Sequence, residues 1–157
     1  MESNLILSAI LAVIHPTQYD LGREVFKRLR ESPGIVRQDV LSSWTSVFNG
    51  VAVISGRSTP VHRDGKSRHG WYDLLVTLGE YQNCQLELPG VGVSLEYGPG
   101  TVVGLCGMVL EHEVPDFEGK RLCYAYFMRD SVHEWAEVPP GDWMSREYYK
   151  KNRCCVG

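Results

Sequence analysis

The sequence predicts an α+β fold, with helices first, packed on one face of a compact β-core. Three observations carry this. Up to about residue 48 apolar residues recur at helical spacing, and from Gly50 the pattern switches to short apolar runs. Those runs come about every ten residues, bounded by Gly, Pro or Asn, with no long helical stretch between them; such spacing belongs to an all-β sandwich or barrel. The length, 157 residues, suits one domain with a real core. The expected organisation is a single domain over 1–157, with a helical start at 1–48, a β-core at 50–130 and a C-terminal helix and tail at 139–157.

Residues 4–14 are almost all apolar. They fall well short of the roughly 20 residues that span a membrane. Met1-Glu2 is not a basic leader, so a secretory signal is not indicated. The stretch reads as a buried helix ending at His15-Pro16, because Pro disfavours helical geometry in the residue before it. Thr17 then caps a helix over 18–31, with Tyr19, Leu21, Val25, Phe26 and Leu29 as its apolar stripe and Arg23, Lys27, Arg28 and Arg30 on a solvated face. Ser32-Pro33-Gly34 ends it. A short helix over 38–48 turns Val40, Leu41, Trp44, Val47 and Phe48 inward.

The β-series is expected at 51–54, 71–78, 82–88, 91–97, 101–105, 108–112 and 121–128, with a turn at Gly98-Pro99-Gly100. Pro139-Pro140-Gly141-Asp142 opens an amphipathic helix over 142–151, and the basic tail behind it reads as a ragged end.

Composition narrows the function. Hydrophobic content of 43% and charged content of 22% are those of a soluble globular protein. A net charge of −3 argues against nucleic-acid binding over the whole surface, which needs Lys and Arg to neutralise phosphates, and leaves room for a local basic patch. Cys84, Cys106, Cys123, Cys154 and Cys155 contain no Cys-x-x-Cys pair. They indicate neither a zinc site nor a disulfide framework, and read as reduced cysteines of an intracellular protein.

Thr59-Pro60-Val61-His62-Arg63-Asp64 is the stretch that carries chemistry. In an extended strand residues i and i+2 share a face, so His62 and Asp64 aim an imidazole and a carboxylate at one point. One more imidazole completes a two-His, one-carboxylate facial triad, which holds Fe(II) and leaves coordination positions open. His112 is the preferred third ligand and His133 its rival. Arg121, nine residues beyond His112, supplies a permanently charged guanidinium able to take a carboxylate through two parallel hydrogen bonds. Arg129 is the backup clamp. In a jelly roll or double-stranded β-helix, strands at the start and near the end of such a series are neighbours.

These segments, with Ser67-Arg68-His69-Gly70-Trp71-Tyr72-Asp73-Leu74-Leu75-Val76, Tyr97-Gly98-Pro99-Gly100-Thr101-Val102-Val103, Val109-Leu110-Glu111-His112 and Tyr124-Ala125-Tyr126-Phe127-Met128-Arg129, resemble the TET/JBP-type 2-oxoglutarate- and Fe(II)-dependent dioxygenases of mushroom-forming fungi. The similarity covers about residues 45–145. It implies a double-stranded β-helix (jelly-roll, cupin-like) core. It implies Fe(II) on His62, Asp64 and His112, with the distal carboxylate of 2-oxoglutarate on Arg121 and O2 as oxidant. The implied reaction oxidises a methyl group on a DNA base, 5-methylcytosine or N6-methyladenine, with the base flipped out of the helix. Methylated DNA is then the partner, with no membrane, in a nuclear monomer. Arg63, Lys66, Arg68 and His69 are candidates to hold phosphates, and Trp71 or Tyr72 to stack on the base. Asn83, Gln85 and Tyr126 are further candidate donors to 2-oxoglutarate. The competing readings are a non-catalytic β-barrel that binds DNA or protein, and an oxygenase with a non-DNA substrate.

Overall fold

The structure, a computed structural model, describes residues 2–32 and 38–148. The Pro33-Gly34 turn, the end of the expected C-terminal helix and the basic tail lie outside these residues. Three helices come first: α1 (Glu2–Ile14), α2 (Pro16–Glu31) and α3 (Gln38–Ser43). Eight strands follow: β1 (Gly50–Ser55), β2 (Thr59–His62), β3 (Asp73–Gln82), β4 (Gln85–Leu88), β5 (Val93–Glu96), β6 (Val102–Leu105), β7 (His112–Val114) and β8 (Glu118–Phe127). A helix absent from the sequence reading, α4 (Asp130–Trp135), comes after them.

The strands form two antiparallel four-stranded sheets, ordered β1-β8-β3-β6 and β2-β7-β4-β5. Tyr81, Cys84, Leu86, Tyr97 and Val114 fill the space between them. This is the double-stranded β-helix expected. Alternation along β3 and β8 sorts side chains by face. Leu74 and Tyr126 point outward beneath α1, against Leu7 and Leu11, while Leu75 joins the inter-sheet cluster. A further apolar cluster joins α2 and α3 to the segment after α4 through Val25, Phe26, Leu29, Leu41, Ala136 and Val138.

Several expectations need correction. α1 is not buried all round: Leu7, Ser8 and Leu11 face the sheet, while Leu5, Ile6 and Val13 are exposed. The cap of α2 is His15, not Thr17. Its Nδ1 accepts from the Gln18 amide at 3.2 Å, and its Nε2 bonds the Gly70 carbonyl at 2.9 Å. That pattern fixes the neutral tautomer, in keeping with burial pushing its pKa down. α3 ends at Ser43, so Val47 and Phe48 reach the core from irregular chain, and Val40 stays exposed. β7 begins only at His112. Of the expected C-terminal helix, residues 146–148 are helical. Trp71 precedes β3 and is core: it is 2% exposed, donates its indole N–H to the Pro140 carbonyl and packs on the His133 ring. It cannot stack on a base. Tyr72 also packs against the helical cluster, edge-on to His15.

Candidate functional site

β2 pairs antiparallel with β7 so that His62 stands opposite His112. Fifty residues of chain separate them, yet the ring centroids lie 4.2 Å apart. Asp64 arrives differently from expectation. The strand stops at His62, and Asp64 lies beyond it, held by its amide donating to the Gly107 carbonyl at 2.9 Å. Its Oδ1 is 3.7 Å from His62 Nε2 and its Oδ2 is 3.6 Å from His112 Nε2. One ligand atom from each residue falls within 4.8 Å of the others. His133, the rival ligand, is instead buried in α4 against Trp71.

The orientation of the two imidazoles is set by the same device. His62 Nδ1 meets the Pro60 carbonyl at 2.9 Å, and His112 Nδ1 meets the Leu110 carbonyl at 3.0 Å. A carbonyl only accepts, so each Nδ1 carries a proton and each Nε2 is turned toward Asp64. This is how ligating histidines are normally oriented. Two imidazoles and a carboxylate, held on one side of a point, are a donor set that fits Fe(II) and leaves positions open.

Gly107 is part of this construction. A Cβ there would lie 2.3 Å from Asp64 Oδ2 and 3.1 Å from Asp73 Oδ2. A side chain there would have to displace the Asp64 carboxylate from the position it holds.

Next to the triad is a slot of about 70 Å³ whose lining includes His62, Asp64, His112 and Arg121. The Arg121 side chain enters from β8 and is only 4% exposed. Its Nε donates to Thr77 Oγ1 at 3.1 Å, and its guanidinium carbon stands 4.9 Å from the Tyr97 ring centre and 5.6 Å from that of Phe117. Thr77 is fixed in turn by the Tyr81 hydroxyl at 2.9 Å, and Tyr81 donates to the Tyr97 carbonyl. Burial pushes the Tyr97 phenol up, so it stays neutral. Among the described residues no carboxylate pairs with Arg121. A buried cation without a counter-charge is costly, and this one faces a slot that suits a slim carboxylate chain.

On the other side of Asp64 is a second chamber, of about 180 Å³, which shares Asp64, Ile54, Leu75 and Ala125 with the slot. Asp73 and Ser67 line it, and Arg129 and Gly65 are at its more exposed part. Burial, reinforced by Asp64, raises the Asp73 carboxyl from 3.8 to about 8, although Arg129 opposes the shift. Arg129, the backup clamp, is thus in the wrong chamber to replace Arg121; it donates to the Gly65 carbonyl and lies over Phe127. Asn83, Gln85 and Tyr126 are engaged elsewhere, with Glu118, Ser94 and Asn4. Of the basic loop, Arg63 pairs with Glu111, and Arg68 with Asp130 and Glu134, while Lys66 and His69 remain exposed.

Asp73, Thr77, Tyr97 and Gly107 were not singled out by the sequence reading. One signal was there: Asp73 and Thr77 are four residues apart in a stretch, 73–78, otherwise built of apolar residues, which places both on one face of a strand.

No curated protein matches the chain. Among solved structures its fold matches NgTET1 in complex with 5mC DNA, with a TM-score of 0.64 and 18% sequence identity over 97% of this chain and 55% of that one. The chain thus spans about half the length of that protein. Residues 1–130 match the Tet_JBP family, described as the oxygenase domain of the 2OGFeDO superfamily. With that match extending over most of the chain, the protein belongs to the Tet_JBP oxygenase family.

Proposed function

We propose that this chain is a single-domain, monomeric, nuclear dioxygenase that depends on Fe(II) and 2-oxoglutarate and oxidises a methyl group on a DNA base. The observation that supports it most is the convergence of His62, Asp64 and His112 beside a buried, uncompensated Arg121. Family membership and the fold shared with NgTET1 in complex with 5mC DNA support the same reading.

In this reading His62 and His112 present Nε2, and Asp64 a carboxylate oxygen, to the metal. When bound, iron with 2-oxoglutarate and O2 supplies the oxidising power, as the cosubstrate is decarboxylated to succinate and one oxygen atom enters the methyl group. Arg121 takes the distal carboxylate of the diacid. Thr77 and Tyr97 hold the guanidinium in place, so little orientation is lost on binding. Ile54, Leu75 and Ala125 keep the wall around the reacting centre apolar and exclude water. A base inside a duplex cannot reach this depth and has to be extruded. Lys66 and His69 are the members of the basic loop free to meet phosphates. The ion pairs of Arg63 and Arg68 favour a second reading, the same oxygenase on a substrate with fewer phosphates than duplex DNA.

The test is anaerobic loading with Fe(II) and 2-oxoglutarate, then air and methylated oligonucleotides. Succinate and an oxidised methyl product should form with the wild type and fall to background with Asp64→Ala or His112→Ala. Failure of the wild type to take up iron would sink the oxygenase reading. Succinate without any oxidised base would sink only the DNA assignment.

A further inference from the structure

The smaller sheet ends on a strand that nothing covers. β5 is last in the order β2-β7-β4-β5 and pairs with β4 alone. The Tyr97 amide donates to the Cys84 carbonyl, and hydrogen bonding alternates along an antiparallel pair. Val93 and Leu95 therefore turn their backbone groups toward β4, while Ser94 and Glu96 turn theirs off the free edge, where no described strand meets them. The inward face of the strand is open too. Leu95 stands opposite Leu86 and Val93 opposite Leu88, so all four share a face. Leu86 and Leu88 are buried, whereas Leu95 is 39% exposed, Val93 40% and the neighbouring Val91 55%. The apolar layer between the sheets thus runs one strand beyond its cover. Edge strands are normally guarded by an inward-pointing charge, a proline or a bulge. β5 pairs in unbroken register and carries an apolar lip instead, of the kind that marks an interaction surface.

The outward face of the same strands decides the charge of the partner. It carries Glu96 on β5, Glu87 on β4 and Glu113 on β7, with Glu87 directly opposite Glu113. Like charges facing each other across a strand pair destabilise a sheet. Among the described residues no cation pairs with any of the three. Ser94, between Glu87 and the edge, is small and is bonded to Gln85 at 2.8 Å. Strands lie about 4.8 Å apart, so a lysine or arginine opposite Ser94 on an added strand reaches over it toward Glu87. A strand that fits is apolar where it faces Val93 and Leu95 and basic where it faces Ser94 and Glu96. A second copy of this chain fits worse, because β5 against β5 sets one acidic face beside another.

We propose that the free edge of β5 docks an extended segment of another protein in which apolar and basic residues alternate, added antiparallel as a further strand of the smaller sheet. The backbone of Ser94 and Glu96 supplies the hydrogen bonds. Val91, Val93 and Leu95 take the apolar side chains, and Glu87 and Glu96 the basic ones. Strand addition of this kind draws its affinity from the main chain and its specificity from alternate side chains. Val93, Ser94, Leu95 and Glu96 line neither of the spaces beside Asp64. Docking here is therefore separate from the metal-ligand triad and stands or falls independently of the dioxygenase reading.

The test is calorimetric titration of the full chain at low salt with synthetic peptides. The probe alternates valine and lysine over about eight residues, the length of an ordinary strand. One control replaces lysine by glutamate. The other carries N-methyl groups on the lysine amides, which face β5 in the docked strand, and keeps every side chain and charge. The probe should bind, and both controls should bind at least tenfold more weakly. Binding should slow hydrogen exchange at the amides of Ser94 and Glu96. Ser94→Pro removes an N–H that β4 does not use and should weaken the probe at least tenfold. Glu87→Lys combined with Glu96→Lys should reverse the preference toward the glutamate peptide. Its Tm should not fall, because an opposite-charge pair replaces the facing glutamates of β4 and β7, and iron uptake should be unchanged. If Ser94→Pro melts lower than the wild type, the charge variant decides alone. An N-methylated peptide that binds as tightly as its parent would show attraction without strand addition and overturn the proposal. So would a charge variant that keeps the wild-type preference, or a chain that self-associates and takes up no peptide.

Discussion

The two spaces on either side of Asp64 are built on opposite principles. In the slot, every polar group that holds Arg121 is itself held: Thr77 bonds Arg121, Tyr81 bonds Thr77, and the Tyr97 carbonyl receives Tyr81. In the larger chamber Asp73 Oδ1 and Ser67 Oγ bond nothing in the protein. A satisfied network fixes one geometry. An unsatisfied pair lowers stability and leaves hydrogen-bonding capacity unused within the protein. The difference separates a space whose polar groups are held from one whose polar groups are not, with His62, Asp64 and His112 between them.

The largest effect should come from emptying the slot. Arg121→Ala removes a buried guanidinium whose charge-assisted bonds to a carboxylate are worth about 1.5–3 kcal/mol each. The KM for 2-oxoglutarate should rise by about 100-fold or more. An Arg121→Ala enzyme with an ordinary KM would show that the diacid sits elsewhere.

A smaller effect, felt in the triad itself, is expected at Gly107. Gly107→Ala places a methyl group 2.3 Å from Asp64 Oδ2. The carboxylate, being the end of a side chain, can swing aside, so the fold should survive with little change in Tm. The swing takes Asp64 away from the imidazoles. Iron affinity, followed by anaerobic titration, should fall by about 10–100-fold, the range seen when groups supporting metal ligands are altered. Undiminished affinity would mean that Asp64 is not held against Gly107 as described.

How much of this was legible in the sequence follows from how far each signal travels along the chain. His62 and Asp64 are two residues apart, and the spacing of strand residues alone suggested that they share a target. His112 and Arg121 were found through the order of motifs, since no local pattern shows that β7 lies against β2 with His112 opposite His62. Trp71 was misplaced among substrate contacts because its partner, the Pro140 carbonyl, is sixty-nine residues away. The apolar run in α1 could not show that only the Leu7–Leu11 face meets the sheet, because the polar residue that interrupts it, Ser8, is itself on the buried face. α4 follows a strand directly and is six residues long, too short for a periodic pattern to register. Asp73, Tyr97 and Gly107 matter through what three different strands and loops bring beside them, which is a property of register and not of sequence.

The effect that tests the contrast most directly is on stability, and it has the opposite sign from an ordinary loss-of-function change. The Asp73 carboxyl is raised to about 8 in the folded protein from 3.8 in the unfolded chain. Below about pH 4 it is neutral in both states and does not bias folding. Between about pH 4 and 8 the folded state holds a proton that the unfolded state has released. Stability therefore falls as pH rises through this window, by at most about 1.4 kcal/mol per pH unit. It levels off once the folded carboxyl has ionised. Asparagine does not titrate, so in metal-free protein the Tm of Asp73→Asn relative to wild type should climb from pH 4 to pH 8 and then hold. Loading a divalent cation beside Asp64 should shrink the gap, because the added positive charge favours the ionised Asp73 and removes part of the repulsion from Asp64. A pH-independent difference between the two proteins would mean that Asp73 meets the same environment folded and unfolded. The larger chamber would then be no more strained than the slot.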